Sequence, residues 1–196
     1  MADRRPRDLD LLDKVDALPR MPYEGTAWRI AREGRDPLQG YPAAARWDPG
    51  TFDVIYTSLA RAGSLAEIYF HLSRQPVFPS KLVSVLHRIT LRIRRALQLA
   101  DLSAVEALSV SLDRYGELDY ERTQAIGDAA CFLGFDGLLV PSARWDCQNL
   151  VVFTDQLAPE DMTIEESAVV DWRAWRKEAE TLRRRADLST RRRGEP

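Results

Sequence analysis

A cation, an aromatic hydroxyl and a carboxylate stand close together in the sequence as Arg46, Tyr56 and Glu67, on segments that read as loop, strand and helix. Trp47 is next to Arg46, and far downstream follow Ser142, Arg144 and Asn149. Local helix or strand geometry does not demand that combination. A site that holds a phosphate-bearing ligand and also meets developing positive charge does. A planar guanidinium suits bidentate phosphate recognition and stacking on an aromatic ring. Arg29 lies inside an apolar strand pattern, and two such guanidiniums converging on one pocket would hold a pyrophosphate.

Each residue also has an ordinary explanation. A single arginine is most often a solvated surface group. Tyr56 fits a core aromatic on a strand. Glu67 stands three positions after Ser64, the spacing of a capping box, which contributes about 1 kcal/mol. Ser142 follows a strand-ending proline and fits a turn, and Asn149 fits a turn former or a ligand contact equally well. No G-x-S-x-G surrounds Ser142, so a hydrolase-type serine nucleophile is not expected. No G-x-G-x-x-G or G-x-x-x-x-G-K-[ST] occurs, so a nucleotide here would be a substrate and not a cofactor seated on a Rossmann turn.

These residues must be positioned by a mixed set of elements. Leu9, Leu11, Leu12, Val15 and Leu18 predict a short amphipathic helix over 8–18, broken by Pro19 and Pro22. Residues 26–30 and 53–57 read as strands, separated by a Gly/Pro-rich loop. A helix over 64–74 carries Glu67, and residues 82–93 read as one long strand. Helices are expected over 103–112 and 121–133, the second ending at Gly134. Residues 137–141 and 149–153 are buried strands, and beyond about 168 the chain turns helical and charged around Trp172 and Trp175. Strands and helices alternate without regular βαβ repetition, which predicts an α+β fold, a mixed sheet with flanking helices and a C-terminal helical extension. The expected organisation is an N-terminal helical arm (1–22), a central domain (23–168), and a C-terminal helix with a basic tail (169–196).

Composition narrows the class. With 196 residues, 45% hydrophobic and 30% charged, the chain can bury a real core. A formal net charge of −2 gives no general drive toward nucleic acid or anionic membrane, despite the arginine-rich end. No apolar run reaches membrane-spanning length, and no secretory signal core follows Met1. Two cysteines and two histidines make neither a disulfide framework nor a metal site. The expectation is a cytoplasmic, metal-free protein.

The order of motifs resembles the RES domain across about residues 23–165. The resemblance rests on Trp28-Arg29-Ile30, Ala45-Arg46-Trp47, Ile55-Tyr56-Thr57-Ser58, Leu65-Ala66-Glu67 with His71, Ile126-Gly127-Asp128-Ala129, and Leu139-Val140-Pro141-Ser142-Ala143-Arg144 followed by Asn149. The family commonly carries Gly-Arg-Trp-Asn where this chain has Ala45-Arg46-Trp47-Asp48; alanine at 45 would be strained if that glycine serves a positive φ, and Asp48 is expected to add negative charge near the phosphate site. RES-domain proteins are toxins of bacterial toxin–antitoxin pairs with Xre-type antitoxins, and their fold resembles that of ADP-ribosyltransferase toxins. Members hydrolyse or phosphorolyse NAD, or transfer its ADP-ribose to a protein. The resemblance thus implies NAD as substrate with no separate cofactor, and an antitoxin partner in a hetero-oligomeric complex. It implies Glu67, Arg46 and Tyr56 as catalytic residues, with Arg29, Trp47, Ser142 and Asn149 binding substrate. A catalytically degenerate nucleotide-binding module is the remaining alternative.

Overall fold

The computed structural model describes residues 6–79 and 81–193, with side chains as far as residue 182. The first half contains α1 (Leu9–Asp16), β1 (Arg20–Arg32), β2 (Val54–Ser58), α2 (Arg61–Ser73) and β3 (Ser84–Gln98). The second contains α3 (Leu102–Ala107), α4 (Glu121–Phe132), β4 (Gly137–Pro141), β5 (Gln148–Phe153), β6 (Met162–Val169) and α5 (Trp172–Arg193). The α+β class expected from the sequence is the one observed.

The Asp8 carboxylate caps α1 by accepting the Leu11 N–H at 3.2 Å. Leu11 and Val15, one turn apart, are buried in the same core cluster as Ile126 and Ala129 of α4. Arg7–Asp128 at 2.6 Å and Arg122–Asp8 at 3.0 Å flank that seam. β1 is longer than the predicted strand: it begins directly after Pro19. Pro22, which cannot donate to a ladder, sits at a register shift between Met21 and Tyr23 opposite β3.

The six strands run in the order β1-β2-β5-β4-β3-β6, and β1 also pairs with β3 from Arg20↔Leu97 to Arg32↔Ser84. Five strands therefore close on themselves, and β6 pairs outside against β3. The β3–β4 pair is parallel and the others antiparallel. Residues alternate across the sheet with period two. Ile55, Leu139, Leu150 and Val152 join Ala27, Ile89 and Leu91 in one core, while Val54, Leu138, Val151 and Phe153 join α1 and α4 in another. Burial on both faces explains why β2, β4 and β5 read as continuous apolar runs.

Three expectations change. The helix over 103–112 ends at Ala107, because Ser109 takes a left-handed backbone (φ 67) that cannot continue a helix; a 3-10 turn at Leu112–Arg114 follows. β6 was not expected, since its residues after Met162 are exposed and include adjacent glutamates, so no alternation marks it. Finally, α2 begins at Arg61 behind Ala60, three residues before the predicted cap. The helix over 121–133 is α4, and Gly134 (φ 76) ends it as expected. The side chains of the arginine-rich tail lie outside the described residues.

Trp175 of α5 is buried against Leu65 and Ala66 of α2, with its ring 5.7 Å from that of Trp145. Trp172 lies 6.2 Å from Tyr69. Helix α5 thus braces both α2 and the loop after β4, the two pieces that carry Glu67 and Ser142.

Candidate active site

A cavity of about 420 Å³ opens where β2, α2, the start of β5 and the loops at 41–47 and 141–144 meet. That volume lies within the range of small-molecule sites. It brings together Arg46, Trp47, Tyr56, Glu67 and Asn149 as wall residues, with Ala143 and Arg144 from the loop that contains Ser142.

Glu67 is not a capping residue. Because α2 starts at Arg61, Ser64 lies inside the helix and is buried, and Glu67 falls in the second turn, facing the cavity. Its Oε1 accepts the Ser142 hydroxyl at 2.7 Å and the Asn149 Nδ2–H at 3.0 Å. The position of α2 depends on Gly63, where a Cβ would collide with Cys147 Sγ and Ser58 Oγ. Glycine allows the helix to approach β2 and β5 closely enough for Asn149 to reach Glu67.

Ser142 is a turn residue as well as a ligand of Glu67: its Oγ accepts the backbone N–H of Arg144 (3.1 Å) and Trp145 (3.3 Å). The hydroxyl that the sequence suggested for a ligand is committed to the carboxylate. Asn149, opposite Ser58 in the β2–β5 register, keeps a buried Oδ1 that has no partner. Four of the site's polar groups therefore converge on one carboxylate oxygen or on the loop that supplies them.

The Tyr56 hydroxyl accepts the Trp47 N–H at 2.9 Å. Burial, reinforced by the Asp48 carboxylate, pushes its pKa far above the ordinary phenol range, so it remains a neutral hydroxyl. Trp47 itself is 2% exposed and packs in the core, so it contributes a wall and a backbone donor. Asp48, expected to bring negative charge toward a phosphate, is instead fully buried beneath the loop. It accepts the N–H groups of Ala44 (2.9 Å), Ala45 (3.4 Å) and Gly50 (2.8 Å). The left-handed residues of this loop are Ala44 (φ 49) and Gly50 (φ 82), not Ala45.

Two arginines face the cavity. Arg46 lies 4.9 and 4.7 Å from the ring centroids of Tyr115 and Tyr120, and its Nη2 donates to the Glu117 carbonyl at 3.0 Å. Arg144 stacks 3.4 Å from the Phe70 centroid and donates from Nη1 to the Gly116 carbonyl at 2.6 Å. Arg29 does not line the cavity. It is 7% exposed, with Nη2 at 3.5 Å from the Gln39 carbonyl and Nη1 buried without a partner, and burial lowers its pKa. His71, one turn beyond Glu67, also lines the wall; desolvation lowers its pKa, opposed by Glu67.

Arg144 stood in the downstream motif with Ser142 but was given no role, and Tyr120 and Phe70 were not singled out from the sequence. Tyr115 and Tyr120 lie in a stretch without periodicity and carry no such signal. Among the described residues, no group of three or more His, Cys, Asp or Glu could hold a metal ion, and no helix is long and apolar enough to cross a membrane.

Fold and site together define an α+β protein with one tethered carboxylate and two arginines facing a single cleft. The chain belongs to the RES domain family, which matches residues 26–177. It is 30% identical over 144 residues to the NAD(+) phosphorylase MbcT of Mycobacterium tuberculosis (strain H37Rv), spanning 69% of this chain and 77% of that protein. The same figures hold for MbcT of Mycobacterium bovis. In shape it is similar to a chain of the crystal structure of the M. tuberculosis MbcT–MbcA toxin–antitoxin complex. There the TM-score is 0.78 at 25% identity, with 87% of this chain and 97% of that one covered.

Proposed function

We propose that this protein is the toxin of a toxin–antitoxin pair and cleaves the nicotinamide–ribose bond of NAD, with inorganic phosphate as acceptor. The observation that carries the reading is the double tether of Glu67 by Ser142 and Asn149 in a cleft that also presents arginines. The similarity to MbcT supports the substrate and the acceptor.

The chemistry suits this wall. As the C–N bond breaks, its electron pair moves to the pyridinium nitrogen and nicotinamide leaves neutral, so no strong general acid is required. Positive charge develops at the ribose, as in glycoside cleavage. The Glu67 carboxylate stabilises that charge and accepts a hydrogen bond from a ribose hydroxyl. Its orientation is set in advance, because Ser142 and Asn149 both hold Oε1. A phosphate oxygen then forms the new bond to the anomeric carbon and gives up its proton to solvent. Arg46, stacked on two tyrosine rings, is placed for the diphosphate. Tyr56 holds the Arg46 loop through Trp47 and keeps that cation in register.

The neighbour solved as a toxin–antitoxin complex supports an antitoxin partner. The family resemblance alone suggests an Xre-type antitoxin that blocks the cleft in a cytoplasmic hetero-oligomer. The test is to mix purified protein with NAD and phosphate and to resolve the products by mass. Nicotinamide with the 1″-phosphate of ADP-ribose is the expected outcome. Free ADP-ribose would reassign the acceptor to water, and a labelled protein would make it an ADP-ribosyltransferase. Binding of NAD without any turnover would reject cleavage.

A further inference from the structure

The two cleft arginines are held in an unusual way. Arg46 and Arg144 donate to the carbonyls of neighbouring residues, Glu117 and Gly116, and neither is in an ion pair with a carboxylate among the described residues. Both arginines line the cavity and are anchored on the adjacent residues Gly116 and Glu117. Both act electrostatically on His71, and Arg144 feels burial first, then the favourable Glu67 carboxylate, then the opposing charge of Arg46. Aromatic rings fix them in place: Phe70 beneath Arg144, Tyr115 and Tyr120 around Arg46. The Nε of Arg144 is buried and has no partner. Two arginines in one cavity wall, neither in an ion pair among the described residues, form a receptor for a tetrahedral anion.

Arg29, by contrast, is buried outside the lining. We infer that Arg144 is the second phosphate-binding residue of the cleft, forming with Arg46 a subsite for one phosphate group. Arg144 is joined to Glu67 through Ser142, whose Oγ accepts the Arg144 N–H and donates to the carboxylate. The bound phosphate is thereby kept close to the reacting ribose. It comes either from the NAD diphosphate or from the free phosphate acceptor; the chemistry of the subsite is the same for both, and only the identity of the ligand rests on the NAD-cleaving reading.

Two substitutions test this. Arg144→Met puts an unbranched apolar side chain where the guanidinium covers Phe70 and removes the charge, while Arg144→Lys keeps charge without the planar fork. Calorimetry with inorganic phosphate and pyrophosphate should show at least roughly tenfold weaker binding in Arg144→Met, partly restored in Arg144→Lys. In turnover, a raised KM for NAD would identify the diphosphate as the occupant. A raised KM for phosphate, with product shifting toward free ADP-ribose, would identify the acceptor. Anion binding and both KM values within about twofold of the unsubstituted protein would overturn the inference, even if kcat or Tm fell, since that is how a merely structural Arg144 behaves. If the unsubstituted protein released no nicotinamide, the function would fail while the calorimetry still judged the subsite.

Discussion

The Ser142 hydroxyl donates to Glu67 Oε1 at 2.7 Å, joining a turn after β4 to the second turn of α2 across 75 positions of sequence. The same oxygen takes the Asn149 amide, so the carboxylate has one oxygen fixed before any ligand arrives. A preorganised acceptor of this kind need not reorient as positive charge develops, which is where electrostatic catalysis gains most.

Replacing Glu67 by Gln should therefore abolish chemistry and spare the fold. The amide retains a carbonyl for Ser142 but has no charge for the ribose. Nicotinamide release should fall by about 100-fold or more, with the thermal midpoint little changed. Release at the original rate would remove Glu67 from the mechanism.

Ser142→Ala and Asn149→Ala should each lower kcat through loss of orientation. Because both act on one oxygen, their effects should not add, and the double variant should be worse than either single one by less than the product of the two losses. Independent, multiplicative effects would mean that the residues act on the ligand separately.

Tyr56→Phe removes the acceptor for the Trp47 N–H, a bond made in a buried setting. Stability should drop by about 1 kcal/mol in urea unfolding, and activity should fall because the Arg46 loop loosens. A loss of turnover with unchanged stability would give the hydroxyl a direct catalytic role.

Ala44 adopts φ 49, a conformation that costs an L-residue about 1–2 kcal/mol. Ala44→Gly should relieve that strain less the entropy of glycine, about 0.5–1 kcal/mol, for a net gain of up to about 1.5 kcal/mol. Gly127→Ala should do the reverse. A Cβ there would collide with the Trp47 carbonyl, so the Arg46 loop must shift off α4, at a cost of roughly 1–3 kcal/mol. Denaturation midpoints of the two variants on opposite sides of the parent are the expected reading.

His87, 8% exposed, has its Nδ1 2.7 Å from Ser167 Oγ on β6. Burial, with Arg29 adding, holds its pKa below the ordinary 6.5. Below that value the unfolded chain binds a proton that the native state refuses, so this contribution is full above pH 6.5 and is lost as pH falls toward the native value. Stability measured by denaturant between about pH 7.5 and 5 should decline more steeply in the parent than in His87→Gln. Parallel curves would exclude His87 as a source of the decline.

Sequence by itself determined much of this protein. Apolar runs at 54–58, 137–141 and 148–153 mark strands, because both of their faces are buried. Glu67, Arg46, Tyr56 and Asn149 were legible as a set from residue type and order, and all four line one cleft. Other relationships depend on contacts between segments distant in sequence. A carboxylate three residues after a serine reads as a cap until the helix is seen to start earlier, against Ser58 and Cys147. Asp48 reads as cleft charge until its carboxylate is found under the loop, on three backbone N–H groups. Arg29 lies outside the cavity wall and Arg144 within it for the same reason. Strand alternation does not say which face meets the cleft, and a loop arginine has no direction until a ring such as Phe70 and a carbonyl such as that of Gly116 fix it. Residue chemistry is local and is written in the sequence, whereas the direction in which a side chain points is set by the partners that folding brings to it.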